Sequence, residues 1–136
     1  MRVQSEDGWV ELATREDEEA FEVRAAVGDF AGHNPKIWIR SEELKRFLDD
    51  LTRMERLRQG EAHMKAMSAE EFELTIRMKD GAPLGVEGLV GRLWYSGQRP
   101  HRLVLRFSFS LDPAGLPAIV REAVKLSARP RRPTTP

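Results

Sequence analysis

The sequence predicts an α+β domain built on an antiparallel β-sheet of about six to seven strands, in the order β-β-(β)-α-β-β-β-β-α, with two helices packed on it. Three observations predict this class. Through most of the chain apolar residues recur at a period of two, the spacing that puts alternate side chains on one face of a strand. One long segment switches instead to helical spacing, with Leu44, Phe47, Leu48, Leu51 and Met54 on one stripe. The strand patterns come in runs rather than alternating one for one with helices, which is α+β grouping.

Taken in order, residues 9–14 alternate weakly, and 20–28 alternate well. Phe21, Val23, Ala25 and Val27 share one face there, and Glu22 and Arg24 point the other way. The acidic run from Arg15 to Glu19 lies between them, so the pair reads as a hairpin with a charged loop. Residues 28–36, Gly-Asp-Phe-Ala-Gly-His-Asn-Pro-Lys, are rich in turn formers and read as a loop. Ile37-Trp38-Ile39 then reads as a short edge strand.

Ser41 predicts a helix N-cap, with Glu42 and Glu43 suited to the positive end of the dipole. Gly60 fits the position just past the helix end, so the helix spans about 42–58. Strand patterns then resume. Ala62, Met64 and Ala66 alternate with polar residues, as do Phe72, Leu74, Ile76 and Met78. Asp80-Gly81-Ala82-Pro83 is a turn cluster. Residues 85–96 form a longer strand in which Gly88 and Gly91 predict a bulge or bend. Gly97-Gln98-Arg99-Pro100 predicts a turn. Leu103, Leu105, Phe107 and Phe109 then define the clearest strand, and all four are assigned to the core face. Asp112 to Gly115 reads as a turn, and Pro117 as the first residue of a second helix. The apolar face of that helix is Ile119, Val120, Ala123 and Val124. The single domain is expected to span 1–127, and the Pro/Arg-rich residues 128–136 to form a disordered tail.

Composition limits the function. With 136 residues, 40% apolar and 32% charged, the chain is long enough to bury a core without a metal or disulfide. It has no cysteine, which excludes thiolate nucleophiles, cysteine zinc sites and iron–sulfur clusters. No apolar signal-peptide core and no run of ~20 apolar residues is present, so a cytoplasmic protein without a membrane span is expected. The 22 basic and 22 acidic residues cancel, which argues against nucleic acid as a partner. The balance is uneven: residues 1–24 carry eight acids against three bases. A solvated charged hairpin explains this more simply than steering of a partner.

Catalytic and metal motifs are missing from the sequence. The three histidines, His33, His63 and His101, show no metal-ligand spacing, and no nucleophile elbow, phosphate-binding loop or HExxH occurs. No cofactor and no metal are expected, and the chemistry favours a non-enzymatic role. Binding candidates are Asp29, His33 and Asn34, because loops held on a scaffold often carry function. Trp9, Trp38 and Trp94 are contact candidates as well, because tryptophan is enriched at interface hot spots, and Trp38 is preferred because it flanks the Gly-Asn-Pro loop. The simpler account is a solvated loop for the first three and core packing for Trp38.

The whole-chain pattern resembles the WapI-type immunity protein family and related small bacterial domains. The paired-strand start leads to Phe30-Ala31-Gly32-His33-Asn34-Pro35-Lys36-Ile37-Trp38, then the Leu44/Phe47/Leu48/Leu51 helix and Gly60-Glu61-Ala62. Phe72-Glu73-Leu74, the Leu103 to Phe109 strand, Asp112-Pro113, Leu116 and a final helix complete it. The resemblance covers roughly residues 8–127 and rests mostly on core positions. It implies a non-enzymatic bacterial protein that binds and neutralises a cognate toxin domain, and it supplies no catalytic residues. Two alternatives stay open. One is a small-ligand-binding or enzymatic domain using the 28–36 loop. The other is a homo-oligomeric structural or regulatory protein with an exposed apolar patch around Val86, Val90 and Trp94.

Overall fold

The computed structural model describes residues 1–15, 19–80 and 82–128. Most of the expected acidic loop, Gly81 of the expected turn and nearly all of the expected tail lie outside the described residues. The fold is α+β and antiparallel throughout, as the strand grouping predicts. Its strands form two four-stranded sheets rather than one sheet of six or seven.

The first sheet comprises β1 (Arg2–Gln4), β2 (Gly8–Thr14), β3 (Phe21–Val27) and β4 (Phe30–Ile37), in that order. The second comprises β5 (Gly60–Lys65), β6 (Phe72–Met78), β7 (Leu84–Ser96) and β8 (Arg99–Leu111), also in order. Helix α1 (Ser41–Leu57) joins the sheets, and α2 (Leu116–Ser127) ends the described chain after a 3-10 turn at Pro113–Gly115. β3 and β4 lie against β7 and β8, while α1 packs on β5 and on α2. One continuous core results, with Leu12, Val23, Phe47, Leu51, Leu74, Ile76 and Leu116 at its centre. Each such large apolar side chain contributes about 1.5–3 kcal/mol by leaving water.

Several expectations are corrected. β1 has no period-two signal, because only Val3 of its three residues is buried. Residues 30–37 are a strand and not a loop. Val27 pairs with Phe30, so only Gly28 and Asp29 form the turn, with Gly28 at a φ of +59°. Gly32 is a packing residue, since a Cβ there would lie 3.2 Å from Leu105 Cβ. Pro35 sits where the register shifts, on the edge strand of its sheet, a place where no ladder N–H is needed. Of Ile37-Trp38-Ile39 only Ile37 belongs to a strand.

Helix ends differ by a residue or two from expectation. Arg40 occupies the N-cap of α1 without a side-chain bond, and Ser41 is the first helical residue. Arg58, not Gly60, adopts the left-handed C-terminal conformation and donates its N–H to the Met54 carbonyl. Gly60 opens β5 instead. α2 starts at Leu116, one residue before Pro117, and Val124 of its expected apolar face is exposed. The β7–β8 turn is Gly97-Gln98 alone, with Arg99 and Pro100 already in β8. Gly88 and Gly91 cause no bulge, for the β7–β8 register runs unbroken from Leu84↔Leu111 to Ser96↔Arg99. Among the described residues no helix is long and apolar enough to cross a membrane.

Candidate functional site: a projecting hairpin arm and its groove

β7 and β8 are thirteen residues each, much longer than β6, which stops pairing at Phe72↔Val90. Beyond that point the hairpin leaves the core. Every residue from Arg92 to Leu103 is exposed, on both faces of the ribbon. A two-stranded ribbon alone is marginally stable in water, so its order derives from continuity with the sheet.

The arm carries an unusual surface. Tyr95 is 65% exposed, Trp94 46% and Leu103 72%. Trp94 stacks on its cross-strand partner His101 at 5.5 Å between ring centroids. Arg92↔Leu103 and Trp94↔His101 continue the face that Val86, Val90, Phe107 and Phe109 bury. The alternation of β8 predicts Leu103 and Leu105 on the core face. They do share the face of Phe107 and Phe109, but that face outruns its cover, leaving Leu105 half-buried and Leu103 in solvent. The apolar patch expected around Val86, Val90 and Trp94 is likewise corrected, because both valines are buried and only Trp94 is exposed.

Between this face and β4 runs an open groove of about 670 Å³. Phe30 and Gly32 of β4 line it together with Val90, Trp94, Leu103 and Leu105 of the hairpin, and Arg92 is beside them. Phe30 is 71% exposed although it follows the core-facing register of Val27. The volume falls in the range of small-molecule sites, but the groove is open along its length.

Charge on the hairpin is one-sided. Residues 88–111 include Arg92, Arg99, Arg102 and Arg106, with His101 and no carboxylate. Arg102 donates to Glu70 at 2.8 Å, and that bond holds the Glu70 carboxyl below its usual range. Arg92, Arg99 and Arg106 form no ion pair among the described residues.

The residues singled out from the sequence are separated by the fold. Asp29 is exposed at the β3–β4 turn and does not line the groove. His33 borders the groove, yet its ring bonds Glu22 at 2.7 Å on the outer face of the first sheet. Asn34 is buried, donating Nδ2–H to the Gly91 carbonyl at 2.7 Å and accepting from the Lys36 N–H at 3.1 Å. It therefore ties the sheets together where the arm begins. Trp38 lies outside the groove, 43% exposed, with the Lys36 ammonium 5.5 Å from its ring centre. No cavity beneath α1 gathers Asp29, His33 and Asn34 among the described residues. Periodicity does not reveal the arm, because its alternation is the same as that of a buried strand. The signal available was length, since thirteen-residue strands exceed the usual five or six.

The Glu22–His33 contact supports a prediction. The His33 hydrogen bond, followed by the Arg24 charge, holds the Glu22 carboxyl below the usual carboxylate range. A lowered folded-state pKa contributes stability above the unfolded value and loses it as pH falls through the folded value. His33→Ala should therefore raise the Glu22 pKa toward that of a free glutamate and remove this acid-side loss. An NMR titration of the Glu22 carboxyl that is unchanged by His33→Ala contradicts the assignment. The neutral-pH stability change should be small, as for exposed pairs generally.

Comparison with known proteins finds no match of this chain to a family model, to a curated protein or to a solved structure. Among the described residues no group of three or more His, Asp and Glu is placed to hold a metal ion.

Proposed function

We propose that this protein is a non-enzymatic protein-binding module, an immunity protein that neutralises a cognate bacterial toxin domain, and that it grips its partner with the β7–β8 arm. The observation that carries the binding role is the arm itself. Twelve consecutive exposed residues present Leu93, Trp94, Tyr95 and Leu103 to solvent. Trp94 and Leu103 lie on the face toward the groove and Leu93 and Tyr95 on the opposite face, and soluble proteins rarely leave aromatic and aliphatic side chains clustered in solvent on both faces of a ribbon without a binding use. Tryptophan, tyrosine and arginine are also the side chains that dominate interface hot spots. The immunity role rests on the resemblance of the Phe30–Trp38 segment, the α1 stripe and the Leu103–Phe109 strand to that family.

The test compares wild type with a Trp94→Ala, Leu103→Asp variant in affinity capture from a bacterial lysate. Both positions are exposed, so the fold should survive, and circular dichroism checks this. Wild type is expected to retain one toxin-bearing protein. The variant should lose at least roughly thirtyfold in affinity, as truncation of a hot spot does. Co-expression of wild type, but not the variant, should relieve growth arrest by the captured toxin domain. Equal recovery by both proteins would sink the assignment of the arm as the contact surface.

A further inference from the structure

The long hairpin ends in an open sheet edge. β8 is the last strand of its sheet, and among the described residues no strand pairs with its outer side. Thirteen residues of edge offer alternating unpaired N–H and C=O groups. Proteins usually blunt such an edge with proline or with charged side chains, lysine above all, which bar like-charged strands but leave a segment of opposite charge free to pair. Here Pro100 stands only at the tip, and every charged group on β8 is an arginine. We infer that β8 receives an extended acidic segment of the partner protein as a ninth strand, its alternate side chains apolar toward the groove and carboxylate toward Arg102 and Arg106.

The two faces of the hairpin define that pattern. A strand laid along β8 would place every second side chain beside Leu103 and Leu105, over the apolar groove. The intervening side chains would lie beside Arg102 and Arg106 on the opposite face. Of these, Arg106 has no ion pair among the described residues. Main-chain bonds supply affinity in such strand addition, and the alternate side chains supply specificity. The same charges act against a second copy of this chain. Two β8 edges in antiparallel contact would bring arginines to arginines with no carboxylate between them, and like charges across a strand pair are destabilising.

This inference rests on the arm being the contact surface, and its test separates the two. The probes are three capped nonapeptides: one alternating valine and glutamate, one alternating valine and lysine, and one with the glutamate composition in two blocks. Binding is followed by calorimetry and by amide hydrogen exchange across residues 102–110. The alternating glutamate peptide should bind at least roughly tenfold tighter than either control, a difference of one decade in Kd. It should slow exchange in β8 and weaken with added salt. Arg106→Glu should reverse the preference toward the lysine peptide. Equal binding of the three peptides overturns the inference, as does unchanged exchange in β8. Tighter binding of an oligothymidine strand, or dimerisation of the protein alone through this edge, overturns it too. If the peptides fail while the Trp94→Ala, Leu103→Asp variant still loses its captured partner, only the strand-addition inference falls. If that variant keeps its partner, both fall.

Discussion

Gly91→Ala is expected to destabilise the fold by on the order of 3 kcal/mol, at the upper end of overpacking costs. Gly91 is the residue at which β7 leaves the core. β6 has ended one residue earlier, and the chain before it returns across this point as the 66–71 connection. The Gly91 N–H bonds the Glu71 carbonyl at 2.9 Å. A Cβ on Gly91 would stand 1.9 Å from the Glu70 carbonyl oxygen and 3.1 Å from Val104 Cγ2. The first obstacle is backbone, so no side-chain rotation relieves it. Glu70 is already in the left-handed region, with φ +62°, which restricts how its peptide can retreat. Gly85→Ala in the same strand is the control, since nothing lies within 4 Å of a Cβ there. Its unfolded chain loses freedom while its folded state meets no clash, so it should be neutral or stabilising by about 0.5 kcal/mol. Urea denaturation of both variants checks the contrast. A Gly91→Ala midpoint close to that of Gly85→Ala would show that the 66–71 connection yields freely.

The same node explains what the sequence could and could not reveal. Strand periodicity reveals β2, β3 and β5 to β8 because apolar residues alternate along each of them, inside the core for β2, β3, β5 and β6 and only over the core-side part of β7 and β8. It reveals α1 because Phe47, Leu51 and Met54 are buried on one stripe. It fails on β4, where Gly32 and Pro35 have the character of strand breakers. Tertiary packing gives both another purpose: close approach to Leu105 for the first and a register shift on an edge for the second. It fails on Gly88 and Gly91 for a related reason. A bulge and a close backbone crossing demand the same residue, and only the path of the neighbouring chain distinguishes them. The division into two sheets was likewise hidden, because pairing order is a property of connections and not of periods. At the site, the loop-like neighbourhood of His33 and Asn34 marks both residues, yet the structure turns one outward to Glu22 and buries the other. The arm is not legible in the sequence, because an exposed ribbon and a buried strand share one alternation.

Asn34→Leu should cost roughly 2–6 kcal/mol, because it removes the Asn34 hydrogen bonds to two backbone groups at about 1–3 kcal/mol each. Asn34 is 6% exposed and bonds both the Gly91 carbonyl and the Lys36 N–H. Leucine fills similar space, so the loss reports the hydrogen bonds rather than a cavity. Asn34→Asp separates them. It keeps an acceptor for the Lys36 N–H but opposes a carboxylate oxygen to the Gly91 carbonyl. Burial and that opposed dipole raise the folded-state pKa of the introduced carboxyl above its unfolded value of about 3.9. A raised acid pKa favours the folded state below the unfolded value, and this advantage is lost as pH rises through the folded value. Asn34→Asp should thus be closest to wild type in mild acid and weakest at neutral pH, whereas the deficit of Asn34→Leu should not vary with pH through this site. Parallel pH profiles for the two variants would contradict the assigned contacts. Because Asn34 and Gly91 share a bond, the Asn34→Leu, Gly91→Ala double variant should lose less than the two single losses combined. The common step is detachment of the arm root from the first sheet. Both single variants should therefore also weaken partner capture, although neither residue lies on the exposed arm.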